Sequence, residues 1–345
     1  MKRAINIIVK IIAVVIAFVL LTLLFRPKYI EKNIDGRIMA EYYREKSPVD
    51  VIFVGSSTVH SGISPMTLYS EYGMTAYTRS NSSQVVPISY AVIEDSIKRN
   101  KPELVVMDVG FIYQADDYVD EGSSRKSMDD FKWSKYKSDC IKAIMDPTEN
   151  YIDYVFPILR FHSRWNDLSA EDFKYLLYKP TVTYNGQLLQ FSEDGVSKEF
   201  NPYKLDAGII ATERTMSYMQ KIVDTCKAND VQLLFIKLPL IEGNWNADIE
   251  KQVADFAKAN GVNYINYIEQ FDAIGLRPEM FGDGQHMNSV GAEVFTKHLG
   301  NYIINNYSVS DRRNDDSVKK IYDKKLARYR EDMDNKVSLE NVSGE

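Results

Sequence analysis

Three short apolar runs constrain the fold of this chain more than any other feature: Val49-Asp50-Val51-Ile52-Phe53-Val54, Glu103-Leu104-Val105-Val106-Met107-Asp108-Val109 and Val231-Gln232-Leu233-Leu234-Phe235-Ile236. Each is rich in β-branched or large apolar residues and bounded by turn signals, so each reads as a strand covered on both faces. Helical segments separate them, at Val86 to Arg99, about Ile209 to Asn229, Ala247 to Asn260 and Ser289 to Tyr307, with weaker strands at Thr75 to Arg79 and Asn263 to Tyr267. Strands alternating with helices predict a mainly parallel sheet in a three-layer α/β/α domain with right-handed crossovers. The alternation stops from about 111 to 205, a stretch dense in Tyr, Trp and Phe that is expected to form an inserted cap or subdomain.

A second pattern sits at the amino terminus. Ala4 to Phe25 is apolar, interrupted mainly at Asn6 and Lys10, and at helical rise it is about 30 Å long, the depth of a bilayer core. It runs into Arg26-Pro27-Lys28 without a small-x-small cleavage site, which predicts an uncleaved transmembrane anchor over residues 1–28. Basic residues flank both ends, so charge does not set the orientation; a short basic leader before a large domain predicts that the domain lies outside the cytoplasm. Residues 29–48 then read as a connector with some helical character and 49–307 as the α/β domain. Residues 308–345 carry nearly balanced charge and few large apolar side chains. That tail is expected to build no core, to form at most a charged helix near Lys319 to Met333, and to be disordered at its end.

Composition removes several functions. A formal charge of -6 argues against nucleic acid as the main partner, since phosphate binding depends on a cationic face. The two cysteines, Cys140 and Cys226, are expected to remain separate buried thiols. Four scattered histidines give no ligand spacing, so no metal and no cofactor is expected.

The chemistry-bearing residues lie far apart in sequence. Gly55-Ser56-Ser57 ends the first strand, where open parallel sheets place reactive groups, and Asp283-Gly284-Gln285-His286 precedes the last helix. Acyl transfer by serine uses a base to take the hydroxyl proton and a carboxylate to fix the tautomer of that base. Ser57, His286 and Asp283 supply these three types.

The strings VDVIFVGSSTVHSGISP and DGQHMNSVGAEVFTKHL resemble the first and last blocks of the SGNH (GDSL-like) hydrolase and acyltransferase superfamily over residues 49 to 307. The resemblance implies an SGNH-like, flavodoxin-like sheet, Ser57 as nucleophile with Ser56 as the alternative, and Asp283 and His286 as its partners. The Gly-x-Asn-Asp block of the family is absent, because the third strand ends Asp108-Val109-Gly110-Phe111. Asn81 and Gln84, after the second strand, are the side-chain candidates for the oxyanion site, together with the backbone N–H of Ser57.

The anchor and the aromatic insertion resemble the envelope branch of the superfamily, which includes the D-alanyl transfer protein of lipoteichoic acid synthesis and the periplasmic O-acetyltransferases. This implies a cell-envelope glycopolymer or acyl donor as substrate and a membrane-bound O-acyltransferase as partner. Whether water or a sugar hydroxyl takes the acyl group stays open, and so does a non-catalytic binding or scaffold role. Arg160, His162, Arg164 and Trp165 are candidates for gripping an anion or a sugar face, or else belong to an amphipathic cap helix. His60, in the turn after Ser57, is not expected to be the base. His298, well inside the last helix, is expected at the surface or in a capping role.

Overall fold

In the computed structural model, residues 2–30, 32–114 and 119–337 are described. Five strands, β1 (Val51–Gly55), β2 (Ala76–Ser80), β3 (Leu104–Asp108), β4 (Gln232–Lys237) and β5 (Asn263–Asn266), form one parallel sheet in the order β2-β1-β3-β4-β5. Alternate side chains of each strand point to opposite faces. Ile52 and Val54 enter one apolar cluster with helices Val86–Asn100, Glu213–Ala228 and Ala247–Asn260. Val51 and Phe53 enter the other, with helices Pro65–Tyr72 and Ser289–Asn306. The chain runs outward from β1 to β2 and then crosses back to β3, so the strand order reverses between β1 and β3 and opens a crevice at their carboxyl ends.

Helix Lys2–Phe25 is long and apolar enough to cross a membrane, and it has the composition of either a membrane span or a signal sequence. Cys140 and Cys226 are buried and unbridged.

The connector is more than a linker. Residues 37–42 form a helix, Arg37–Tyr42, whose Ile38, Met39 and Tyr42 are buried beside β2. The Tyr42 ring meets that of Tyr77 edge-on at 5.2 Å, and the buried guanidinium of Arg79 lies 4.0 Å from the Tyr42 centroid while donating to Asp95 at 2.8 Å. The segment is therefore part of the core.

The insertion is not a separate cap either. Its helix Lys135–Ile144 buries Cys140, Ile141 and Ile144 in the same cluster as helix Val86–Asn100. Further on, Asn185-Gly186 makes a left-handed turn (φ 52° and 90°) that presses on β2. A Cβ on Gly186 would lie 2.1 Å from the Thr78 carbonyl oxygen, which excludes any larger residue. Thr78 N–H donates to the Asn185 carbonyl at 2.9 Å and the Asn185 amide to the Ala76 carbonyl at 3.0 Å, so the open edge of the sheet is closed.

The helix of the tail is docked rather than solvated. Arg312 pairs with Asp50 through two 2.8 Å hydrogen bonds, and helix Asp316–Asp334 then buries Val318, Tyr322 and Tyr329 against Met66, Tyr69, Tyr184 and Leu189. The Tyr322 ring stacks on Tyr69 at 4.0 Å. Positions 318, 322 and 329 share one helical face, a stripe hidden in sequence by the charges around it. The tail has no core of its own and borrows one from the domain. The disorder expected at its end concerns residues 338–345, which lie outside the described residues.

Candidate active site

β1 ends at Gly55 because the next elements close tightly over it. A Cβ there would meet Val59 Cγ2 at 2.6 Å and the Asp108 Cβ at 3.0 Å. The chain turns at Ser56 into the short helix Ser57–Gly62, which brings Ser57 to the mouth of the crevice. On the opposite side, Phe281 and Met287 pair in an isolated antiparallel bridge, and Gly282 N–H donates to the His286 carbonyl at 2.8 Å. Inside this loop Asp283 Oδ1 accepts the N–H groups of Gln285 (2.6 Å) and His286 (2.8 Å), an Asx turn that fixes the carboxylate. Asn288 caps the following helix by accepting from Gly291 N–H at 3.1 Å.

The two loops meet. Ser57 Oγ lies 2.7 Å from His286 Nε2, and His286 Nδ1 lies 2.8 Å from Asp283 Oδ2. A carboxylate only accepts, so Nδ1 carries the proton and Nε2 presents its lone pair to the serine hydroxyl. Burial by itself would raise the Asp283 carboxyl, but the hydrogen bond and charge of His286 and the two backbone N–H groups outweigh it and hold it at about 2. The arrangement can take a proton from serine and stabilise the imidazolium that results. Ser56 faces away: it is buried and its hydroxyl pairs with Thr58 Oγ1 at 3.2 Å.

The pocket around Ser57 has a volume of about 280 Å³ and is walled by Ile34 from the connector, His60, Ser82, and Leu188, Leu189 and Gln190 from the insertion. The insertion segment ties both halves together. Leu188 N–H donates to the His60 carbonyl at 3.0 Å, while Gln190 exchanges backbone and side-chain bonds with Ser289 and donates from its amide to the Met287 carbonyl at 2.7 Å. These wall residues carry no chemical signal in the sequence, although Asn185-Gly186 just before them is a turn signal of the kind that sets a hairpin against a sheet.

The oxyanion candidates fare differently. Gln84 is buried and its amide nitrogen donates to the Arg79 carbonyl (3.3 Å) and Ser89 Oγ (3.2 Å), so its donors are used within the core. Asn81 is fully buried, neither of its side-chain amide atoms has a hydrogen-bond partner among the described residues, and it does not line the pocket; Ser82 does. Where the family pattern has an asparagine after the third strand, Asp108 accepts from Thr58 Oγ1 at 2.9 Å and from Leu238 N–H at 3.1 Å. A carboxylate in that role cannot donate to an oxyanion. The backbone N–H of Ser57, at the first turn of its helix, is the candidate donor left.

The solved structures similar to this one include the following three. A provisionally assigned acylhydrolase from Bacteroides fragilis has 13% identity and a TM-score of 0.39, with 78% of this chain and 95% of that chain covered. A GDSL-like lipase from Bacteroides thetaiotaomicron has 14% identity and a TM-score of 0.38, with 77% and 98% covered. A gut microbial diltiazem-metabolizing enzyme has 10% identity and a TM-score of 0.36; the match spans 74% of this chain and about half, 48%, of that one. No family model matches, and no curated protein matches in sequence.

Arg160, His162, Arg164 and Trp165 are not brought to this pocket. Arg160 donates to Glu121 at 2.6 Å, His162 Nδ1 lies 2.8 Å from the Leu159 carbonyl, and Arg164 donates to Asp172 at 3.0 Å and to the carbonyl of Phe25. They stand at the end of the amino-terminal helix, with the arginines already paired. His298 is half-buried in the last helix with its ring edge-on to Tyr267, away from the pocket.

His60 is held beside the reacting groups as a neutral imidazole. Its Nδ1 lies 3.2 Å from Ser80 Oγ, and burial, helped by the nearby His286 and Lys126 and opposed by Asp35, pushes it from 6.5 down to about 4. The unfolded chain therefore binds the proton first as pH falls, and stability is lost between about pH 6.5 and 4. The span corresponds to roughly 3 kcal/mol. Urea melts at pH 7 and 4.5 are expected to show this loss in the wild type and a shallower one in His60→Asn; equal slopes would remove His60 as its source.

Proposed function

We propose that this protein is a membrane-anchored, extracytoplasmic serine esterase or O-acyltransferase that acts on cell-envelope polysaccharide or teichoic acid. The observation that carries the reading is the hydrogen-bonded line from Ser57 through His286 to Asp283, in a pocket open to ligand. Ser57 Oγ attacks the acyl carbonyl and gives its proton to His286 Nε2; Asp283 holds the imidazolium; collapse of the tetrahedral adduct expels the alcohol, which takes that proton. A second hydroxyl, from water or a sugar, then attacks acyl-Ser57 with His286 as base. A pocket of about 280 Å³ suits a small acyl group better than a long lipid chain.

The apolar helix supports the anchor. An acyl-exporting membrane-bound O-acyltransferase is the partner such an enzyme would use. One observation favours a binding or scaffold role instead: among the described residues the Gln84 amide is spent in the core, Asp108 only accepts, and Asn81 does not wall the pocket. A fluorophosphonate probe separates the two. The full chain is expected to be labelled at Ser57; a folded protein that stays unlabelled at high probe concentration supports the binding role.

A further inference from the structure

The end of helix Lys2–Phe25 is bolted to one part of the insertion. Lys28 Nζ caps the helix by donating to the carbonyls of Leu24 (2.9 Å) and Arg26 (2.6 Å), and it pairs with Asp172 at 3.5 Å. Arg164 reaches the carbonyl of Phe25 and the same Asp172. Deeper along the helix, the ring of Phe156 meets Phe18 edge-on at 6.2 Å. Residues 151–178 are thus held around the last two turns of the helix by charge at the top and by apolar contact below.

This segment carries large apolar side chains with little to cover them: Phe156 (43% exposed), Leu159 (48%), Trp165 (65%), Phe173 (59%), Leu177 (78%) and Tyr178 (64%). Phe18 lies seven residues before Phe25, so the Phe156 contact sits about 10 Å below the helix end. That is the depth at which interfacial apolar side chains rest in a bilayer. A helix of 24 residues is also longer than the hydrocarbon core, which puts its final turn at the headgroups, where Trp and Tyr are favoured.

We infer that residues 151–178 form an interfacial collar, which sinks these side chains into the lipid leaflet that the helix leaves. The inference rests on reading Lys2–Phe25 as an anchor. Its surface is continuous with that helix, and the occupant is therefore phospholipid. The collar holds the pocket at a set height: Ile34, nine residues after Phe25, is itself a pocket wall, and Asp35 accepts from Ser82 (2.7 Å) and Lys126 (2.9 Å). The substrate class this favours is one presented at the membrane surface, an acyl donor or a membrane-tethered polymer.

The test uses the full chain in phosphatidylcholine–phosphatidylglycerol vesicles, with an environment-sensitive fluorophore on Leu177→Cys or, as a control beside β5, on exposed Ala254→Cys. The native cysteines are buried and stay unlabelled. Nitroxide lipids are expected to quench the Leu177 probe several-fold more than the Ala254 probe. Equal quenching in protein that floats with the vesicles and resists carbonate would overturn the collar and leave the anchor standing. So would a Leu177 probe that is shielded from the lipids and cross-links a second copy. Failure of the unlabelled protein to float would overturn the anchor, and the collar with it.

Discussion

Ser57→Ala is expected to abolish fluorophosphonate capture and to lower ester turnover by about 10⁴-fold or more, with the melting temperature almost unchanged. The hydroxyl lies 2.7 Å from His286 Nε2, and among the described residues it makes no other hydrogen bond. Ser56→Ala is the matched control. Its hydroxyl is buried against Thr58, so turnover is expected to stay within a few-fold of the wild type. Activity that survives Ser57→Ala and is lost in Ser56→Ala would exchange their roles, and labelling that survives both would remove the acyl-enzyme from the mechanism.

Asp283→Asn is expected to cost about 10³ to 10⁴ in kcat at neutral pH, because an amide that donates to Nδ1 forces the other tautomer and leaves Nε2 unable to accept the serine proton. The native carboxyl also makes a pH prediction. Held at about 2, it stays ionised over the working range, so it adds no inflection to the rate profile above about pH 3. Its contribution to stability is present above the ordinary value of 3.8 and is lost only as pH falls towards 2. Profiles of kcat/KM against pH for wild type and variant, with melting curves beside them, check both parts. A variant with wild-type kcat and a correctly melting fold would leave Asp283 with a role in the loop alone.

The sheet was legible because β1, β3 and β4 are buried on both faces and so read as unbroken apolar runs. The Asp283-x-x-His286 pair was legible because its geometry is local, with both ends of the hydrogen bond in one turn. The connector and the tail were not, since Ile38, Met39, Tyr42, Tyr322 and Tyr329 each pack against partners distant in sequence, and a one-sided stripe among charges looks like a solvated helix. The cluster from Arg160 to Trp165 misled for a related reason: arginine beside tryptophan suits a sugar, a phosphate or the end of a membrane helix equally well, and only position separates them. Gln84 was chosen for its amide alone, and burial beside Ser89 decided against it.

The docked tail also sets a clock on biogenesis. Met66 and Tyr69, on helix Pro65–Tyr72, find Tyr322 only when roughly 250 more residues have been made, which at 5 to 20 residues per second takes about 12 to 50 seconds. Until then a growing chain that has already formed β1 and β2 shows an uncovered tyrosine-rich face and leaves Asp50 without Arg312. The nascent protein is thus a substrate for whatever holds unfinished chains, and its final closure is an event of release rather than of early collapse.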